Sequence, residues 1–235
     1  MNFKKIDAPS IKKLFLSQIE EMILSGELKP NDRLPTEREL ADTMGVSKTV
    51  VHEGIRELAQ MGFLDVMSRK GVYVADYAST GNLDTLLAII QYRGGMPDRK
   101  MLIDLLDIRI YLECPAIEIL ARRRDPDNIR KLELLLEDVQ RAISSDVQTF
   151  ASTLFMYRKT LAALSGNCIS PLIMNAFFTA SISAWADYCE YIGRRETYEV
   201  LVQTTEYIRN GDSKGAIRLF TESIEKYKEH LISHS

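Results

Sequence analysis

Residues 36–58, TERELADTMGVSKTVVHEGIREL, constrain this chain more than any other stretch. Thr36 and Glu39 have capping-box spacing, in which a hydroxyl and a carboxylate each satisfy a free N–H at a helix start, so a short helix is expected from Glu37 to Met44. Gly45 suits the left-handed position that ends it, and Ser47 can N-cap a second helix immediately afterwards. In that second helix Val51, Ile55 and Leu58 share one face, while Lys48, Thr49, His52 and Arg56 lie largely on others. The result is helix, tight turn, helix, with one side for packing and one free to meet a partner.

The flanks extend this pattern. Upstream, Ile11, Leu14, Phe15, Ile19, Met22 and Ile23 recur at helical spacing before Ser25-Gly26, and LKPNDRLP then reads as a turn-rich connection. Downstream, FLDV and VYVA flank MSRKG, with Leu64, Val66, Val72 and Val74 alternating as a half-buried hairpin requires. A hairpin directly after two capped helices is a wing, and a winged helix-turn-helix points to double-stranded DNA.

Charge restricts how such contact is made. The whole chain carries a formal charge of -3, and its first 77 residues hold seven Lys and four Arg against twelve acidic residues. There is no global positive field, so any phosphate contact rests on local cations such as Arg38, Lys48, Arg69 and Lys70. A solvated surface of mixed charge is the other reading of those side chains.

The segment GELKPNDRLPTERELADTMGVSKTVVHEGIRELAQMGFL resembles the DNA-binding domain of GntR-type regulators. The resemblance implies that Arg38 contacts DNA from the first helix of the motif. It implies that Ser47, Lys48 and Thr49 meet phosphates and base edges from the start of the recognition helix, and that His52, one turn on, reaches a base. Family members more often carry Arg at that last position; imidazole cannot make the bidentate bonds to guanine that guanidinium makes, so a different operator is expected. Arg69, Lys70 and Gly71 resemble the basic wing tip that enters the minor groove.

The small, polar stretch ADYASTGN, residues 75–82, reads as a linker, giving a winged domain at 1–77 and a second domain at 78–235. From Leu83 about seven helices follow, so the expected fold is mainly α, a winged helix-turn-helix plus an all-helical antiparallel bundle. Asp125-Pro126 and Ser170-Pro171 each read as an N-cap before a first-turn proline, and Pro115 should kink the segment 98–124. Cys114, Cys168 and Cys189 are far apart and lack CxxC spacing, which suggests buried free thiols. No signal-peptide core, membrane-length apolar run, GxSxG, GxxxxGK or HExxH is present in the sequence, so a cytoplasmic non-enzyme is expected.

LLDIRIYLECPAIEILARRR, MYRKTLAALSGNCISPLIMNAF and RNGDSKGAIRLF resemble the helices of the FadR-type, or FCD, C-terminal domain. Many members of that subfamily hold a divalent metal through one Asp and three His, and the metal holds a carboxylate. Here those positions fall on Leu154, Arg158, Leu201 and Ser223, which cannot supply such a donor set, so neither metal nor cofactor is expected. His230 and His234 read as surface residues.

Arg158 stands where a metal ligand would be, and the resemblance implies that its guanidinium binds a carboxylate or phosphate directly. Pairing with a helix carboxylate such as Glu113 is the alternative, and Arg109 shares the ambiguity. Phe177, Phe178, Trp185 and Tyr188 suit an apolar pocket, or core and dimer packing. The candidate effector set is Arg109, Arg158, Trp185, Tyr188 and Ser223. The functional expectation is a homodimeric repressor that binds operator DNA and responds to a small organic acid or acyl compound; the alternative is a DNA-binding dimer whose C-terminal domain is only a scaffold.

Overall fold

The computed structural model describes residues 9–233, which fall into two compact units meeting at Gly94 and Gly95. His234 lies outside the described residues.

The N-terminal unit contains α1 (Ile11–Leu24), α2 (Glu37–Met44), α3 (Lys48–Gln60), β1 (Leu64–Met67), β2 (Gly71–Val74), α4 (Tyr77–Thr80) and α5 (Leu83–Tyr92). The capping box of α2 is complete: the Glu39 N–H donates to the Thr36 hydroxyl and the Thr36 N–H to the Glu39 carboxylate. Gly45 ends α2 at φ 65°, in the left-handed region, and the Ser47 hydroxyl accepts from the Val50 N–H to start α3. Val51, Ile55 and Leu58 are buried, as their spacing requires.

The buried stripe of α1 is Phe15, Leu16, Ile19 and Ile23, whereas Ile11 and Leu14 stay 60% and 55% exposed, contrary to the expected stripe. Packing on α3 sets this rotation. Gly54 of α3 has no side chain, and the Phe15 ring occupies the space its Cβ would need.

The wing is antiparallel, from Leu64 opposite Val74 to Met67 opposite Gly71. Its alternation holds only at the base: Leu64 and Val74 are buried, Val72 is half-buried and Val66 is exposed, because the tip extends beyond the core. Residues 31–34, expected as part of a turn, line the other edge of β2. The Asn31 and Leu34 N–H groups donate to the Val74 and Val72 carbonyls at 2.8 and 2.9 Å, and the Val74 N–H donates to Asp32 at 2.9 Å. That run covers a sheet edge otherwise left open.

The expected linker is folded. Ala75 is buried, and the Tyr77 ring lies 5.6 Å from Phe63. Asn82 accepts from the Asp84 and Thr85 N–H groups and donates to the Gln60 carbonyl at 2.8 Å, while the Thr85 hydroxyl donates to the Met61 carbonyl. These bonds attach α5 to the winged unit, so the compact unit continues to Gly94 and does not stop at Tyr77.

The second unit has seven helices among the described residues: α6 (Arg99–Arg123), α7 (Pro126–Ala142), α8 (Val147–Leu164), α9 (Ser170–Ala176), α10 (Phe178–Ile192), α11 (Arg194–Asn210) and α12 (Ser213–Ser233). At its centre is α8, whose Phe150, Ala151, Leu154, Tyr157 and Leu161 have no solvent exposure. Asp125 caps α7 ahead of Pro126. Ser170, by contrast, is the first residue of α9 and not its cap: Asn167 Oδ1 accepts from the Ile169 and Ser170 N–H groups at 2.9 and 3.1 Å. Helix α6 continues through Pro115 for 25 residues. Cys189 is buried, Cys114 half-buried and Cys168 exposed, so burial of the thiols is not general.

Candidate functional site

Each unit carries part of the candidate set. In the winged unit the side chains of Lys48, Thr49, His52, Arg69 and Lys70 are exposed, and Gly71 is half-buried at the foot of the wing turn. Arg38 keeps 88% of its side chain in solvent and lies 3.9 Å from Asp42, an ion pair too open to hold it. Ser47 spends its hydroxyl on the α3 cap, which leaves its backbone and not its Oγ as the readier contact. Arg69 sits at φ 62° and Gly71 at φ 116°; a side chain at residue 71 would meet the guanidinium of Arg33. Gly71 is thus favoured by the left-handed backbone of the turn, while the flexible Arg33 side chain can move aside.

In the helical unit, Glu113 of α6 is completely buried and shared by two arginines. Arg109 Nε donates to Oε1 and Arg158 Nη1 to Oε2, both at 3.0 Å, with side-chain exposures of 17% for Arg109 and 2% for Arg158. Two guanidinium groups facing one carboxylate leave an excess positive charge. Arg109 Nη2 and Arg158 Nε are buried and make no hydrogen bond. The Arg109 guanidinium lies 3.5 Å from the centre of the Trp185 ring, and Arg158 lies 4.7 Å from that of Phe220. Aromatic faces attract the cations but offer no acceptor in the plane of the fork. Burial, reinforced by repulsion from Arg158 and opposed by Glu113, pushes the Arg109 pKa down to about 10.

A cavity of about 60 Å³ adjoins Arg109. Trp185, Tyr188, Leu106, Phe155, Met174 and Phe177 contribute to its largely apolar wall. Burial raises the Tyr188 pKa against the opposing pull of a hydrogen bond with Ser223 and of the two arginines. Ser223 itself donates to the Phe220 carbonyl at 2.7 Å and lines a separate groove with Tyr188 and Lys226. Phe178 is 43% exposed and stacks edge-on to Phe155.

The positions that resemblance assigned to metal ligands do not fit a metal. Leu154 and Leu201 are fully buried hydrocarbon, and Arg158 already holds Glu113. Among the described residues no group of three or more His, Cys, Asp or Glu is placed to hold an ion. His230 stacks on Tyr191 with ring centres 3.6 Å apart. No helix among the described residues is long and apolar enough to cross a membrane.

Two family models match the chain: "Bacterial regulatory proteins, gntR family" over residues 16–74, and "FCD domain" over residues 104–226. The chain belongs to the FCD-containing gntR regulators. It is a bacterial transcriptional regulator and not an enzyme.

Among its relatives, the HTH-type transcriptional regulator Mce2R of Mycobacterium tuberculosis is 28% identical over 77% of this chain and 74% of its own length. The fatty acid metabolism regulator protein of Klebsiella pneumoniae is 29% identical over 67% of this chain and 63% of its own. The solved structure of Lar, described as controlling expression of the Listeria monocytogenes agr system, superposes with a TM-score of 0.63 at 16% identity, covering 98% of this chain and all of that one. That likeness concerns the fold alone.

Two features of this regulator are not legible in local sequence spacing. One is the sharing of Glu113 by both arginines. Pairing of Arg158 with Glu113 is one of the expected alternatives, and the spacing of Arg109 and Glu113 hints at a helix pair, but that both arginines meet the same carboxylate depends on tertiary packing. The other is Glu37, whose carboxylate lies 2.8 Å from His52 Nδ1.

Proposed function

We propose that this regulator binds a pseudo-palindromic operator as a cytoplasmic homodimer and is a repressor released by a small organic acid, which it holds without metal beside Arg109 and Arg158. The winged unit contributes Arg38, Ser47, Lys48, Thr49, His52 and the wing residues Arg69, Lys70 and Gly71 to the DNA contact. The observation that carries the sensing half is the buried charge imbalance: two arginines, one glutamate and two guanidinium nitrogens without acceptors. Burying an unpaired cation is costly, and a ligand carboxylate would neutralise it and accept a hydrogen bond from each of the two free nitrogens. Trp185 and Tyr188 then flank the ligand's apolar part, and Ser223 acts indirectly, through Tyr188. The charge count favours a single negative charge on the effector.

The cavity's volume limits the effector. About 60 Å³ accommodates a small acid, and a longer acyl chain enters only if Ile173, Met174 and Phe177 move. The same small volume favours the second reading, a dimerisation scaffold with no effector site. A thermal-shift series with acetate, butyrate and octanoate in EDTA separates them. Sensing requires at least one acid to raise the melting temperature, since a ligand selective for the folded state must stabilise it, and requires Arg158→Met to abolish the rise. A flat response to every acid supports the scaffold.

A further inference from the structure

The DNA-facing residues include one side chain held by a partner from another element. His52 lies in α3, one turn from the helix start, with 56% of its side chain exposed. Its Nδ1 is 2.8 Å from Oε1 of Glu37, the first residue of α2, whose side chain is 30% exposed. A carboxylate only accepts, so Nδ1 carries the proton and donates. In a ring with one proton, Nε2 is therefore a bare acceptor. Glu37 sits in the first turn of α2.

We infer that Glu37 is a specificity-determining residue of this regulator: by fixing the proton and orientation of the His52 ring, it presents Nε2 to the major groove as an acceptor, and so selects a base with an exocyclic amine. In the major groove adenine offers N6–H₂ and cytosine N4–H₂, whereas guanine and thymine present acceptors at the corresponding edges. His52 thus reads adenine or cytosine where an arginine would read guanine. The engagement also shields a carboxylate that would otherwise repel DNA phosphates. Glu37 is a positioning residue, acting on the base through His52. The inference rests on the proposal that the winged unit binds operator DNA through His52, and places α3 in the major groove.

The test is selection from a randomised duplex pool at pH 8, followed by sequencing, for the full-length wild type and for His52→Ala, Glu37→Ala and the double variant. Both side chains are partly solvated, so melting temperatures should match the wild type and exclude misfolding. The wild type should favour adenine or cytosine at one position per half-site by roughly 5- to 10-fold, the scale of a single hydrogen bond. His52→Ala should lose that preference and keep all others. Glu37→Ala should weaken it at the same position, and the double variant should match His52→Ala, because Glu37 acts only through the ring. An intact preference in Glu37→Ala, or selection of guanine or thymine there by the wild type, overturns the inference. Failure of the wild type to enrich any sequence would instead overturn the DNA-reading proposal beneath it.

Discussion

The buried arginine cluster makes an asymmetric prediction about stability. Removing Glu113 leaves Arg109 and Arg158 buried, mutually repulsive and without a carboxylate; removing Arg158 leaves Arg109 and Glu113 as one balanced pair. Breaking a buried ion pair by deleting one partner costs about 3–5 kcal/mol. For Glu113→Gln that corresponds to a fall of roughly 6–20 °C in melting temperature, at about 2–4 °C per kcal/mol for a protein of this size. Arg158→Met should cost no more than about 1–2 kcal/mol, since a flexible apolar chain refills much of the volume and an excess charge disappears. Calorimetry and urea unfolding of both variants and their double measure the difference, and the double should be less damaged than the sum by about 2 kcal/mol. A second signature follows: monocarboxylates should stabilise Glu113→Gln more than the wild type, because they supply the missing charge. Equal losses in the two single variants, or a larger loss in Arg158→Met, would refute the charge count on which the sensing proposal stands.

Other predictions are more local. Gly54→Ala should destabilise the winged unit by about 1–3 kcal/mol despite the better helix propensity of alanine, because its Cβ meets the buried Phe15 ring; denaturant midpoints check this. Lys48→Ala should lower DNA affinity similarly across sequences and reduce the slope of log K against log salt by about 1, measured by anisotropy titrations at several salt concentrations. Burial pushes Cys189 and Tyr157 up to about 12, so the fold holds them neutral where the unfolded chain ionises them. Their stabilisation is complete below the unfolded values and is lost as pH rises toward 12, at about 1.4 kcal/mol per pH unit for each group. Alkaline melting curves should show this decline, with Cys189→Ala delaying its onset.

Local chemistry made much of the winged helix legible. Thr36, Glu39, Gly45 and Ser47 each satisfy a backbone requirement within a few residues, so their spacing defines α2, the turn and α3 without reference to the rest of the chain. Where the sequence misled, a distant element decided. Ile11 and Leu14 stay in solvent because α1 turns its Phe15 toward Gly54 of α3. Residues 31–34 have turn-forming composition yet become a sheet edge because β2 has a side to cover. The polar segment 75–82 looks like a spacer until Asn82 bonds to Gln60, and Ser170 looks like a cap but is the first residue of α9, its N–H held by Asn167 Oδ1. In the arginine cluster the structure shows the structural pairing of Arg158 with Glu113, and its sharing with Arg109 leaves the excess charge on which the anion-binding proposal rests.

The most direct test of metal-free sensing is a crystal structure of the full-length protein grown with butyrate and EDTA. The account predicts a carboxylate within hydrogen-bonding distance of both Arg109 Nη2 and Arg158 Nε, with its hydrocarbon against Trp185. A ligand held by a metal ion, or an unliganded cluster with the cavity closed over at saturating acid, would contradict it.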